Sequence, residues 1–451
     1  MSVRELILNY LNKLGVNSKI LWVQLVTLGN LIKGPLVLLF MGLTISSEIQ
    51  GYWFSFVSLG ALISLADLGF TTILSQYISH NAHSIKITSE RKFIETPTNV
   101  DIFIFILSAL KFYFYMIVII IPVMISAGFW YFSDFEYLLP WITYTVVGAL
   151  FLLLSFIQSV IIGFNEVEQV NKEKLFSIFS VTFVTIAMLV SGFDIWALVG
   201  GYFAGTIVGG AYHYRNNSQL WMQILKNGYN HVSIKNLKPV LGLQTKYAIS
   251  WLCGYLIFQL YVPVIFKTHG AVLAGQVGLT IAAFSAINQF SNSFITASTP
   301  RIGQLAGQNN EKKALQLFVR SLYKRCFCYL LLAISAMFVF ISMGYFDYFL
   351  GLSEKFLPNS IKIMLAIMFF SIGLISNLAT YCRSHKEENF TVHAIFNSLG
   401  VVLSIALFYE NIDNLFLSVS SFYLFILVPT GFYIFNNSKK KYMQKLQSDN
   451  K

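Results

Sequence analysis

The apolar residues of this chain come in long blocks rather than in the alternation of a half-buried strand, and the blocks are too long for strands of any kind. A helix that crosses a bilayer needs roughly 20 mostly apolar residues. Twelve stretches approach or exceed that length, near residues 20–45, 52–78, 105–132, 138–163, 175–192, 195–214, 239–266, 271–299, 322–346, 358–382, 390–409 and 415–435. The pattern predicts an all-α polytopic membrane protein of about 12 transmembrane helices. Odd-numbered gaps between the helices are short, for example 46–50, 133–137 and 410–414, and leave no room for a catalytic domain.

Charge gives these helices a direction. Of 31 Lys and Arg, 25 lie at the two ends of the chain or in the even-numbered gaps, whereas the odd-numbered gaps hold only Lys267 and Lys355. Such alternation is the positive-inside signature and places both termini in the cytoplasm. Trp53, Trp130, Tyr137, Trp141 and Trp196 sit beside the opposite gaps, as aromatic anchors at a headgroup layer do. Near the N-terminus, Val3, Leu6, Ile7, Tyr10, Leu11 and Leu14 recur at helical spacing beside Arg4 and Lys13, which suits an interfacial helix. No removable signal peptide is expected there. The longest inside gap, 215–238, falls near the middle of the chain. We therefore expect an N-terminal six-helix lobe over 1–214, a linker over 215–238 and a C-terminal six-helix lobe with a basic tail over 239–451. Transporters built from repeated halves have this layout, with a substrate path between the halves. Setting Gly51 against Gly275 brings the second and eighth helices into the register of an internal repeat.

Composition narrows the picture further. The chain is 56% hydrophobic and 11% charged, with mean hydropathy +0.65, so lipid rather than water is its solvent. A net charge of +11 would suggest nucleic acid in a soluble protein. Here it is explained by loops facing anionic membrane lipid, and no nucleic-acid partner is implied. Cys253, Cys326, Cys328 and Cys382 all lie in or at the ends of apolar stretches and are expected to be free thiols.

Lys33 is the first candidate for chemistry. About a dozen mostly apolar residues flank it on each side, and a lysine at that depth costs roughly 2.5–3.5 kcal/mol on insertion scales. It reads either as a cation lining a wet cavity that meets an anionic substrate, or as half of a structural ion pair. Lys111, Lys246 and Lys362 lie near span ends and can reach an edge. Asp67 reads as the one carboxylate well inside an apolar stretch. It would couple transport to H+ or Na+, or else bond loop amides or a neighbouring basic residue. Helix rise places it about 9 Å deeper than Lys33, too far for a direct pair. Ser285, Asn288, Asn292, Thr296 and Thr299 fall along one face of the eighth helix. That face would hydrogen-bond sugar hydroxyls in a hydrated cavity, or tie helices together. Gly201, Gly205 and Gly209 read as a packing stripe. His80 and His83 lack the third ligand of a metal site, no cofactor is expected, and no phosphate-binding loop occurs. The expectation is a transporter, not an enzyme.

Several of these features together resemble the Wzx-type O-antigen flippases of the multidrug, oligosaccharidyl-lipid and polysaccharide exporter (MOP) superfamily. They are the twelve helices, the split after the sixth, the deep basic residue, and the run Glu48-Ile49-Gln50-Gly51-Tyr52-Trp53-Phe54 through Ala66-Asp67-Leu68-Gly69-Phe70. Pro300-Arg301-Ile302-Gly303-Gln304-Leu305 is similar too. The resemblance implies movement of an undecaprenyl-diphosphate-linked oligosaccharide across the bacterial inner membrane for lipopolysaccharide biosynthesis, alongside other polysaccharide assembly proteins. It maps the family's cationic cavity onto Lys33, with Lys246 at the cytoplasmic mouth. A multidrug or cation antiporter would want a carboxylate where Lys33 stands, and a membrane glycosyltransferase or polymerase would want a large external loop.

Overall fold

The computed structural model describes residues 18–67, 69–81, 93, 99–132, 134–228, 232–308, 310–346, 351–385 and 387–449. The expected N-terminal interfacial helix lies outside them. The described elements are helices: α1 (Ser18–Thr44), α2 (Ser47–Ala66), α3 (Phe70–Asn81), α4 (Asn99–Tyr131), α5 (Phe135–Gly163), α6 (Val167–Val190) and α7 (Ile195–Gly228). After a 3-10 turn at Ile234–Leu237 come α8 (Lys238–Phe258), α9 (Tyr261–His269), α10 (Ala271–Gly307), α11 (Glu311–Phe346), α12 (Asn359–Ser384), α13 (Thr391–Phe408) and α14 (Ile412–Phe422). A π-turn at Tyr423–Leu427 leads into α15 (Val428–Asp449). Among the described residues 11 helical runs are long and apolar enough to cross a membrane, and a bent pair makes a twelfth. The protein is a multi-pass, all-α membrane protein.

Two spans that read as single helices in the sequence are interrupted. The second breaks between α2 and α3, where Gly69 takes φ +75°, a region open to glycine at no steric penalty. Asp67 starts the next helix by accepting the Thr71 amide at 3.3 Å and the Thr71 hydroxyl at 2.8 Å. The seventh is the bent pair, Trp251–Phe258 with Tyr261–His269, meeting at 41°. Pro263, in the first turn of α9, has no N–H to return to the carbonyl four residues back, so the helical ladder stops there.

The chain forms two compact units, one made of Met1–Phe40 and Phe56–Leu252, the other of Met41–Ser55 and Cys253–Lys451. In the first, Phe70, Ile73 and Ile78 of α3 pack with Phe103, Ile106 and Tyr113 of α4, Phe156 and Val160 of α5, and Leu220 and Ile224 of α7. The predicted glycine stripe brings α7 against α6: a Cβ on Gly201, Gly205 or Gly209 would strike Thr185, Val181 or Glu173. In the second unit, Tyr261, Phe284, Phe318, Tyr329, Leu365, Tyr381, Phe416 and Tyr423 form the buried centre. The four cysteines are free.

Candidate functional site

Lys33 is the sixteenth of 27 residues in α1, which puts it roughly 16 Å from the helix end at Thr44. Its side chain is half-buried. Among the described residues no carboxylate lies within ion-pair distance of it and no hydrogen-bond partner is found. Pro35 inside the helix leaves the Leu31 carbonyl without its usual donor. Space is left on this part of α1, because a Cβ on Gly34 would meet nothing within 4 Å. An amine, an unpaired carbonyl and open volume thus occur within one turn of the same helix. That combination can hold an anion and the water or hydroxyl groups that come with it.

Asp67 is 8% exposed. Besides Thr71, the Tyr113 hydroxyl of α4 donates to its Oδ1. Its lone pairs are therefore engaged by the amide and hydroxyl groups of its own turn and by one tyrosine of the same unit. Lys33 is not among its partners.

The polar face of α10 is organised by a residue that the charge pattern had counted among the gap cations. Arg325 of α11 is fully buried. Its Nε donates to Asn292 Oδ1 at 3.1 Å, and its Nη2 donates to Asn288 Oδ1 at 2.8 Å and to the Phe370 carbonyl at 3.2 Å. Asn377 Nδ2 of α12 donates to the same Asn292 oxygen at 3.1 Å. The guanidinium lies 5.2 Å from the Tyr329 ring centre and 5.1 Å from that of Phe370. Asn288 and Asn292 thus spend their side-chain oxygens on Arg325, while Ser285 is exposed. The Lys246 side chain lies outside the described residues.

Lys362, in the first turn of α12, is 4% exposed. Its amine donates to Asn359 Oδ1 at 3.1 Å and stands 4.6 Å from the centre of the Phe340 ring. One reading needs correction: Asp67 is not the only carboxylate sunk in a helical span, because Glu173 of α6 is fully buried. Charge and hydropathy along the chain did not single out Arg325 or Glu173. The available signal was spacing: Asn288 and Asn292 are one turn apart, and Glu173 lies one turn before Ser177 on the helix that the glycine stripe meets.

Solved membrane transporters share this helix arrangement over nearly its whole length. Lipid II flippase MurJ in an inward closed conformation matches with a TM-score of 0.63 over 94% of this chain and 92% of that one, at 12% identity. A multidrug resistance MATE family transporter of the MOP superfamily, inward-facing, matches with a TM-score of 0.57 over 94% and 95%, at 15% identity. The chain shares the fold of these two structures. A MATE structure in complex with MaL6 matches with a TM-score of 0.54 over 95% and 98%, at 13% identity. No protein-family profile and no curated protein sequence matches the chain.

Proposed function

We propose that this protein is a flippase that moves an undecaprenyl-diphosphate-linked oligosaccharide, such as an O-antigen repeat unit, across the bacterial inner membrane. The observation that carries the reading is Lys33: a half-buried amine in the middle of a membrane-spanning helix, with no acidic partner among the described residues. A diphosphate is the kind of group such an amine attracts as a point charge, whereas a cationic drug would be repelled by it. Bare hydrocarbon opposes passage of a sugar diphosphate, since each desolvated polar group costs several kcal/mol. A protein-lined polar path lowers that barrier. The likeness of fold to lipid II flippase MurJ supports a lipid-linked cargo of this chemical class. Alternating access driven by H+ or Na+, both termini in the cytoplasm, Lys246 at the cytoplasmic mouth and contacts with polysaccharide assembly proteins belong to the same reading.

The deciding experiment is transport of a lipid-linked sugar in reconstituted vesicles by the native protein, Lys33→Ala and Lys33→Arg. Alanine should abolish flipping and arginine should preserve part of it. Equal rates in all three would discard the cationic site.

A further inference from the structure

An open groove of about 580 Å³ runs between α4, α5 and α7 of the first unit, away from Lys33, with Leu110, Leu153, Phe156 and Trp221 in its almost wholly apolar walls. Gly210 also lines it, and a Cβ on that residue would meet nothing within 4 Å. Positive charge flanks these walls. Lys111 follows the wall residue Leu110, Arg215 follows Tyr214 and Lys226 follows Leu225. All three cations are exposed. Among the described residues none of them has an acid or another polar partner.

Helix rise sets the depth of these groups. Lys111 lies roughly 30 Å along α4 from Tyr131, and Arg215 lies roughly 30 Å along α7 from Ile195. The hydrocarbon core of a bilayer is about as thick. Both cations therefore stand at the headgroup layer on the side of the basic gaps. Gly210 lies more than a turn nearer the hydrocarbon than Arg215, while Ser218 and Trp221 lie one and nearly two turns beyond it. Ser218 and Trp221 both line the groove, and the hydroxyl of the one and the indole N–H of the other have no hydrogen-bond partner among the described residues. Along its length the groove thus passes from bare apolar wall to fixed positive charge and two unused donors. A lipid whose acyl chains hang from an anionic, ester-bearing headgroup presents the matching groups in the same order. The volume of about 580 Å³ falls in the range of about 300–1,000 Å³ that encloses one small ligand, which suits an acyl chain and not a polyprenyl chain several times as long.

We propose that this groove is a binding site for an anionic glycerophospholipid of the leaflet that faces the basic gaps. One acyl chain lies against Leu153, Phe156 and Gly210, Ser218 and Trp221 donate to the glycerol esters and the phosphate, and Lys111 and Arg215 neutralise the charge. Lys226, in the last turn of α7, meets the headgroup from the water side. Long basic side chains lay their stems along apolar surface and carry the charge to the headgroup level. Basic pockets between membrane helices recognise anionic lipid by this pairing. A zwitterionic lipid brings the same chains and phosphate, but its own cation meets three more. The site stands apart from the flippase reading, since it requires no lipid-linked cargo.

Trp221 makes the site measurable, because phospholipids brominated on an acyl chain quench a tryptophan they touch. The full chain is reconstituted in phosphatidylcholine vesicles that carry a small fraction of brominated phosphatidylglycerol or brominated phosphatidylcholine. The difference between each protein and its Trp221→Phe counterpart isolates the one indole. In wild type, phosphatidylglycerol should quench it several-fold more efficiently than phosphatidylcholine. Lys111→Gln, Arg215→Gln and Lys226→Gln combined in one chain should make the two lipids equal. Gly210→Leu fills the groove from a position with room for the side chain, and should cut the preference several-fold with all three charges in place. Equal quenching by the two lipids in wild type, or a preference that survives the charge variant, overturns the proposal. So does a preference untouched by Gly210→Leu, which would reduce the binding to surface charge. Displacement of phosphatidylglycerol by undecaprenyl phosphate at equal mole fraction would overturn it too, by giving the groove to a polyprenyl lipid.

Discussion

At the scale of single residues, Arg325 shows how a membrane protein keeps a cation without an acid. Its planar fork meets two asparagine oxygens and a backbone carbonyl while its faces lie against two aromatic rings. Each bond to a charged donor contributes about 1.5–3 kcal/mol. A lysine cannot reproduce that geometry from one compact ammonium. Arg325→Lys should therefore destabilise the protein nearly as much as Arg325→Met, by on the order of 3 kcal/mol, read as a lower thermal midpoint in detergent. A midpoint unchanged by Arg325→Lys would refute the network. Lys33 was legible in the sequence because depth in a helix is a one-dimensional quantity, counted in residues from either end. Arg325 was not, because it sits at the edge of an apolar stretch, where a basic residue reads as a loop charge. Only the approach of three helices reveals its partners. Glu173 escaped for the same reason: it looks like one more charge in the Glu166 to Lys174 segment until α7 covers it.

At the scale of elements, the start of α2 and the start of α10 cross with a reciprocal geometry. A Cβ on Gly51 would strike the Ala271 carbonyl, and one on Gly275 would strike the Ser47 carbonyl. Each glycine thus faces the residue one turn before the other. The register that aligned these two glycines in the sequence is the register in which they meet. Adding a methyl to either backbone contact should cost about 1–3 kcal/mol through overpacking. Gly34→Ala meets nothing within 4 Å and should hold or raise the midpoint, since alanine favours a helix interior by up to about 1 kcal/mol. Thermal unfolding of Gly51→Ala, Gly275→Ala and Gly34→Ala separates the two kinds of glycine, and equal midpoints for all three would contradict the crossing. Lys355, one of the two cations in the odd-numbered gaps, has a local task as well. Its Nζ donates to the Gly42 and Ile45 carbonyls at 2.7 and 2.8 Å, satisfying the end of α1. Helix number and position were readable from hydropathy, because a window of about 20 residues averages over a single turn. For the same reason the breaks at Gly69 and Pro263 vanished into the average.

At the scale of the whole molecule, the alternation of Lys and Arg has consequences for parity. Basic gaps fall on one side throughout only if the bent pair Trp251–His269 counts as a crossing. The acids of those basic gaps, meanwhile, join helix ends to one another. Glu311, at the start of α11, meets His385 Nε2 at 2.7 Å through Oε2, and the Tyr381 hydroxyl donates to its other oxygen. His385 Nδ1 lies 2.9 Å from the Tyr381 carbonyl, so both ring nitrogens face acceptors and both carry protons. The ring stacks on Tyr442 of α15 at 4.1 Å, and Lys441 of α15 bonds Glu387 at 2.6 Å. Burial works against the charged imidazole. The bonds to Glu311 and to the Tyr381 carbonyl, with the charges of Glu311 and Glu387, outweigh burial and raise its pKa above the ordinary 6.5. A raised value in the folded state means that the contribution is whole below about 6.5 and is lost as pH climbs through the folded value. The gap in thermal midpoint between wild type and His385→Asn should accordingly be widest on the acid side of neutrality and close on the alkaline side. A gap that widened with rising pH would mean that His385 is not held protonated by Glu311 in the folded protein.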